Sequence, residues 1–323
     1  MDKQTNNQYL LRIWGRAATL VLVSGLLAAC ATAGSKDPTP EDLAKLVERT
    51  INAGDEAARR GDFERALTHY LRALETEESL DVWFRVGAAS SQVGRSQGAL
   101  LAYSKVLETD PLHAQAHEGS GLEHLALGDV EAAREHLSTT IALDPDRWRS
   151  HNALGILADQ TGDYAAAMRH YEAALAINPK SPMLLNNIGY SRYLSGDLDQ
   201  AARDFYNVTR LYPDYEAAWT NLGIVYAQRR WYLDAVGILA RVMDKAKAYN
   251  DVGYIAYRKG DLAEAERLLA EAVRVSPTYY LDANRNLEQV RARLQGGPRN
   301  AAILQMPTGP SPTLAEAAAG DEG

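Results

Sequence analysis

Apolar residues along the chain recur at helical spacing, and the pattern restarts every 34 residues. In residues 148–181, WRSHNALGILADQTGDYAAAMRHYEAALAINPKS, Leu154 and Ala158 stripe one helix. Ala167, Met168, Tyr171, Ala174 and Leu175 stripe a second. Gly162 predicts a left-handed residue closing the first helix, Asp163 a side chain capping the second, and Pro179 a stop after it. Gly155 stands inside the first helix, where glycine costs roughly 1 kcal/mol against alanine. Close approach of the two helices, with Ala167 opposite, is the expected reason for it.

The same skeleton returns on either side. Gly87, Gly121, Gly155, Gly189 and Gly223 keep the period, as do Gly94, Gly128, Gly162 and Gly196. So do Ala99, Ala133, Ala167, Ala201 and Ala235, and Pro111, Pro145, Pro179 and Pro213. A period of 34 with these residue classes in phase is that of a helix–turn–helix solenoid. From about Val47 to Tyr279 it resembles the tetratricopeptide repeat. The resemblance implies an all-α, right-handed superhelix of about seven units, whose eighth-position residues are Gly54, Gly87, Gly121, Gly155, Gly189, Gly223 and Gly253. Unit one (47–79) is degenerate, as an end repeat should be. Units two to five (80–113, 114–147, 148–181, 182–215) are regular. In unit six, from Glu216, Arg230 and Trp231 replace the turn Gly-Asp and the next unit starts after 30 residues, which predicts a shortened second helix. Residues 246–279 make unit seven and 280–294 an amphipathic capping helix, so the solenoid spans 40–294. Thr39-Pro40-Glu41-Asp42 carries the signals of a helix start. The Gly-, Pro- and Ala-rich stretch 295–323 reads as a disordered tail.

Residues 1–29 read differently. Lys3, Arg12 and Arg16 precede a largely apolar stretch, Ala17–Leu27, too short to span a bilayer comfortably as a helix. It ends in Leu27-Ala28-Ala29-Cys30, which resembles the lipobox of bacterial lipoproteins and holds the chain's single cysteine. The resemblance implies cleavage before Cys30, lipidation of that residue, a short tether over 30–39 and membrane attachment through the lipid. With Ala31 after the cysteine it further implies delivery to the outer membrane, facing the periplasm.

Composition narrows function. Net charge is −8, and the first 29 residues carry +2 (Lys3, Arg12, Arg16, Asp2), leaving −10 on the remainder. Such a chain lacks the electrostatic footprint of a nucleic-acid binder. A single cysteine rules out an intramolecular disulfide. No phosphate-binding glycine loop, serine-nucleophile motif or paired-carboxylate signature is present, so neither catalysis, a cofactor nor a small-molecule substrate is expected. His113, His117 and His124 have the spacing of helical metal ligands, which would suit a metalloenzyme. His117 and His124, however, fall at the fourth and eleventh positions, where unit six has Trp219 and Tyr226, and read as inter-helix packing. His113 lies in the connecting loop, and no bound metal is expected.

In tetratricopeptide repeats the second, fifth, ninth, twelfth and thirteenth positions of each unit face an inner groove. Carried onto this chain, these include Asn152 and Ile156; Asn186, Tyr190 and Tyr193; Thr220 and Ile224; Asn250, Tyr254 and Tyr257. Asparagine can hydrogen-bond a peptide backbone and tyrosine offers rigid amphipathic area. The C-terminal half, which holds most of the tyrosines, is therefore the expected peptide-binding groove. Units five to seven, with NNIGYSRYLSGDLDQAARDF, AWTNLGIVYAQ and AYNDVGYIAYRKGDLAEAERLLAEAVRVSPTYY, resemble the TadD family of Flp (Tad) pilus-assembly lipoproteins, related to type IV pilotins. That resemblance implies a secretin or pilus-assembly component as partner. The alternative is an adaptor for peptidoglycan hydrolases or proteases.

Overall fold

The computed structural model describes residues 39–276, 278 and 280–296. Its described residues form fifteen α-helices and no strand. The lipobox at Cys30, the tether up to residue 38 and nearly all of the predicted tail lie outside the described residues. The chain divides into compact units 1–43 and 44–323; of the first, only the cap and opening turn of a helix are described. There Thr39 Oγ1 accepts from the Asp42 N–H at 3.2 Å, and Asp42 Oδ2 accepts from the Thr39 N–H at 3.1 Å.

Seven helix pairs follow one another: α1 Pro40–Arg59 with α2 Phe63–Thr76, α3 Leu80–Gln92 with α4 Ser96–Thr109, and α5 Ala114–Ala126 with α6 Val130–Leu143. Then come α7 Trp148–Gln160 with α8 Tyr164–Ile177, α9 Pro182–Leu194 with α10 Leu198–Leu211, α11 Glu216–Gln228 with α12 Tyr232–Leu239, and α13 Lys245–Arg258 with α14 Leu262–Val275. A last helix, α15 Leu281–Leu294, covers α13 and α14 and buries Ala283, Leu287 and Val290 there. From α3 to α13, each first helix packs on its own second helix and on the second helix of the preceding unit, and neighbouring first helices from α3 to α15 also touch. First helices therefore form a nearly dry inner layer. In α7 every residue from Asn152 to Asp159 is buried.

The local chemistry of each turn follows the sequence. Gly162 has φ 78°, as do its counterparts to within a few tens of degrees, and Asp163 Oδ1 accepts from the Ala166 N–H at 2.9 Å. In unit six Arg230 occupies the same left-handed position at φ 67°, the one non-glycine residue among those described to do so. Its guanidinium pairs with Asp261. The second helix, α12, runs for 8 residues where the others have 14, and Asp244 caps α13.

The internal glycines correct one expectation. The residue across from Gly155 is Tyr171, not Ala167: a Cβ on Gly155 would lie 2.5 Å from Tyr171 Cε1. The same sixteen-residue offset recurs in all seven units, with Tyr70 over Gly54, Tyr103 over Gly87, Leu137 over Gly121, Phe205 over Gly189, Leu239 over Gly223 and Leu269 over Gly253. Each glycine is the seat of one large side chain from the second helix.

Candidate functional site

Inner positions of the first helices line a trough along units one to four. Its main cavity, of about 560 Å³, lies against α3 and α5, between Phe84, Ala88, Gln92, Leu122, Ala126 and Arg149. A second, of about 480 Å³, shares Phe84, Ala88 and Gln92 and extends to Asp55 and Arg59 in unit one. A third, of about 430 Å³, shares Glu118, Arg147 and Arg149 at the start of unit four. Apart from Arg147, the last residue of unit three, these are fifth-, ninth- and thirteenth-position residues, with the second-position Arg149 at the far end.

Small side chains open the space. The ninth position is Ala88 in unit two but Ile156, Tyr190, Ile224 and Tyr254 in units four to seven. Gly119 lets the Tyr103 ring pack directly on α5, since a Cβ there would sit 2.4 Å from Tyr103 Cζ. Tyr103 is buried, and burial pushes its hydroxyl up to about 12. Phe84 tilts against it with ring centroids 6.0 Å apart. The walls are cross-braced by charge: Arg85 pairs with Asp55 at 2.5 Å and Arg147 with Glu118 at 3.4 Å. Glu118 accepts from Ser150 Oγ at 2.9 Å, and the buried Glu123 accepts from Ser91 Oγ. Arg149 has no carboxylate partner among the described residues; its guanidinium stacks 5.6 Å from the Trp148 ring centroid.

The expected C-terminal groove is largely closed. Asn152, Ile156, Asn186, Thr220, Asn250 and Tyr254 are all buried, because first helices are enclosed on both flanks by their neighbours. The asparagines face the next unit instead of a peptide. Asn187 Nδ2 donates to Asn152 Oδ1, Asn221 Nδ2 to Asn186 Oδ1, and Asn286 Nδ2 to Asn250 Oδ1, each at 2.9 Å. Thr220 Oγ1 donates to the Glu216 carbonyl at 3.1 Å, and the Tyr254 hydroxyl accepts from Arg258 at 3.1 Å. Tyr190, Tyr193, Ile224 and Tyr257 remain half-buried, the first two with ring centroids 5.8 Å apart.

The asparagine ladder is energetically exposed to single substitution. Asn221→Leu strands Asn186 Oδ1 in a dry interface and should cost about 1–3 kcal/mol, whereas Asn186→Leu with Asn221→Leu should cost less than the sum of the two singles. Urea unfolding of the four proteins in the cycle reads the coupling. Additive losses would mean that the pair does not act as a unit.

The histidines do not converge as metal ligands. His113 caps α5, its Nδ1 accepting from the Ala116 N–H at 3.2 Å. His117 meets His136 and the Pro111 carbonyl, while His124 pairs with Asp129 at 3.3 Å and stacks on His136. Among the described residues no group of three or more His, Cys, Asp or Glu side chains is placed to hold one metal ion, and no helix is long and apolar enough to cross a membrane.

A family model described as tetratricopeptide repeat matches residues 51–114, 118–182 and 186–251, and another of the same description matches 245–276. The chain belongs to the tetratricopeptide repeat family. Among solved structures it is similar to a tetratricopeptide repeat protein from Parabacteroides merdae ATCC 43184, at 18% identity over 76% of this chain and 99% of that one, with a TM-score of 0.57. It is also similar to a chain of the APC/C hetero-tetramer Cut9–Hcn1, at 20% identity over 78% of this chain and 48% of that one, with a TM-score of 0.51. MamA from Desulfovibrio magneticus RS-1 matches at 24% identity over 54% of this chain and 97% of that one, with a TM-score of 0.48. At these identities the likeness is one of fold. Tetratricopeptide repeat proteins are in general non-catalytic scaffolds that bind other proteins.

Proposed function

We propose that this tetratricopeptide repeat chain is a lipid-anchored, periplasm-facing scaffold at the outer membrane, whose trough in units one to four holds a segment of a partner protein during assembly of a Flp/Tad-type pilus or its secretin. The trough carries the binding part of this reading: three adjoining cavities share walls and mix an apolar floor with charged rims, as a polypeptide segment requires. The anchor rests on Leu27-Ala28-Ala29-Cys30, and the pilus assignment on the resemblance of units five to seven. Several acyl chains hold a protein firmly where one holds it only marginally.

Two measurements test the proposal. Cys30→Ser should leave the chain uncut before residue 30 and outside the outer-membrane fraction; wild-type fractionation of that variant would remove the anchor. A crosslinking pull-down from intact cells should recover a secretin or another pilus-assembly component. Recovery of a peptidoglycan hydrolase or a protease in its place would make the chain an adaptor for that enzyme.

A further inference from the structure

Units three and four carry the same histidine pair, one period apart. In unit three His117 on α5 meets His136 on α6, Nδ1 to Nδ1, at 2.9 Å. In unit four His151 on α7 meets His170 on α8 in the same way at 3.5 Å. The far nitrogen of each first-helix histidine is also fixed: His117 Nε2 lies 3.1 Å from the Pro111 carbonyl, and His151 Nε2 lies 3.1 Å from the Pro145 carbonyl. A carbonyl can only accept, so Nε2 carries the proton in both rings. A neutral imidazole has one N–H, which leaves Nδ1 of His117 and of His151 as acceptors. His136 and His170 must therefore donate from Nδ1.

This arrangement suits two neutral rings and tolerates one proton, which at Nε2 of His136 or His170 leaves the Nδ1–H still donating to its partner. A second proton must go to Nδ1 of His117 or His151, where it sets a donor against a donor and two imidazolium ions edge to edge. We propose that the His117–His136 and His151–His170 pairs are a proton-operated lock, clamping the two helices of units three and four together while at least one ring of each pair is neutral and forcing them apart when acid charges both.

The surrounding charges offer little relief. His136 faces His117 and His124 from α5, with Glu135 of its own helix the one group favouring the charged form. His124 in turn is paired with Asp129. His170 faces His151 from α7 and Arg134 from α6, with Arg169 beside it on its own helix, so all three neighbours oppose a charge. Burial, the largest cause, and then these neighbours hold both rings below the ordinary histidine range. The folded chain thus binds fewer protons than the unfolded chain once the pH falls below about 6.5. Stability from these groups is complete above that pH and declines as the pH drops from there towards the lowered folded values. The lock also adjoins the trough. His117 precedes Glu118 and His151 follows Ser150, the two residues whose hydrogen bond ties unit three to unit four. Unit six has a version without a titratable group: Trp219 Nε1 donates to the Pro213 carbonyl at 2.8 Å, and the position of His136 is Ile238.

The test needs no partner, so its outcome is independent of the scaffold reading. In the full chain labelled with 15N-histidine, ring-nitrogen spectra at pH 8 should show Nδ1–H for His136 and His170 and Nε2–H for His117 and His151. Between pH 7 and 5, His136 and His170 should be protonated to a smaller fraction than free histidine in the same buffer. Hydrogen exchange at pH 5.5 against pH 7.5, corrected for intrinsic rates, should show protection lost across α5–α8 and retained in α13 and α14. His136→Ile with His170→Ile, which copies unit six, should abolish that loss. The proposal is overturned if the rings titrate as free histidine does, or if wild type and variant lose protection alike. If the double variant does not fold, the wild-type ring spectra decide alone.

Discussion

Gly155→Ala should lower the melting temperature of the chain, and Gly237→Ala should raise it. Both replace a helical glycine with the best helix former, which by itself is worth about 1 kcal/mol. At Gly155 the new methyl meets Tyr171 Cε1 at 2.5 Å and Cδ1 at 2.8 Å. That ring has no room to withdraw: it is fully buried, and its hydroxyl donates to Asp159 Oδ2 at 2.9 Å. Overpacking of this kind costs typically about 1–3 kcal/mol, more when the backbone must shift, and leucine at the site should be worse. At Gly237, exposed on the short α12, nothing lies within 4 Å of the added Cβ, so only the helical gain remains. Thermal melts by circular dichroism distinguish the two signs. A loss of a kilocalorie amounts to a few degrees in a chain of this length. Similar shifts for both variants would mean that the ring-on-glycine seat has no energetic role.

The same seat marks how far the sequence could be read. Phase and period placed every helix pair, the left-handed glycines, the capping aspartates and the shortened helix of unit six, because each depends on residues within one turn of the boundary. What lies opposite Gly155 depends on how two helices cross, and the period is silent on that; only the offset of sixteen to an aromatic residue or leucine, repeated seven times, held the clue. The inner groove shows the same limit. The side chains judged most useful, Asn152, Asn186, Asn250 and Tyr254, are ones the stacking of first helices buries. Asparagine at the fifth position followed one unit later by asparagine at the sixth, as in Asn152 with Asn187 and Asn186 with Asn221, is a pattern of inter-unit pairing. Open space follows instead from what is missing. Ala88 is small where units four to seven carry Ile156, Tyr190, Ile224 and Tyr254, and a search for conspicuous aromatics passes over it.

Ala88→Trp should abolish partner recovery while leaving the fold intact. Ala88 is half-buried on α3 and lines both the 560 Å³ and the 480 Å³ cavities, so an indole there fills the trough where the two join. It is not the seat of a packed ring; that role in unit two belongs to the adjacent Gly87, under Tyr103. Blocking the centre of an interface removes the contacts of its best-desolvated residues, and losing even one such anchor commonly costs about 2 kcal/mol or more in binding, roughly thirtyfold in affinity. Tyr254→Ala is the contrasting variant. Its ring is buried in α13, and truncation of a buried aromatic side chain typically costs about 3–5 kcal/mol, so helicity should melt earlier and partner loss would follow from unfolding. In the intact-cell crosslinking assay, Ala88→Trp should therefore lose the partner at wild-type melting temperature. If that variant keeps its partner, the binding surface is not the trough, and the half-buried Tyr190, Tyr193, Ile224 and Tyr257 become the next residues to block.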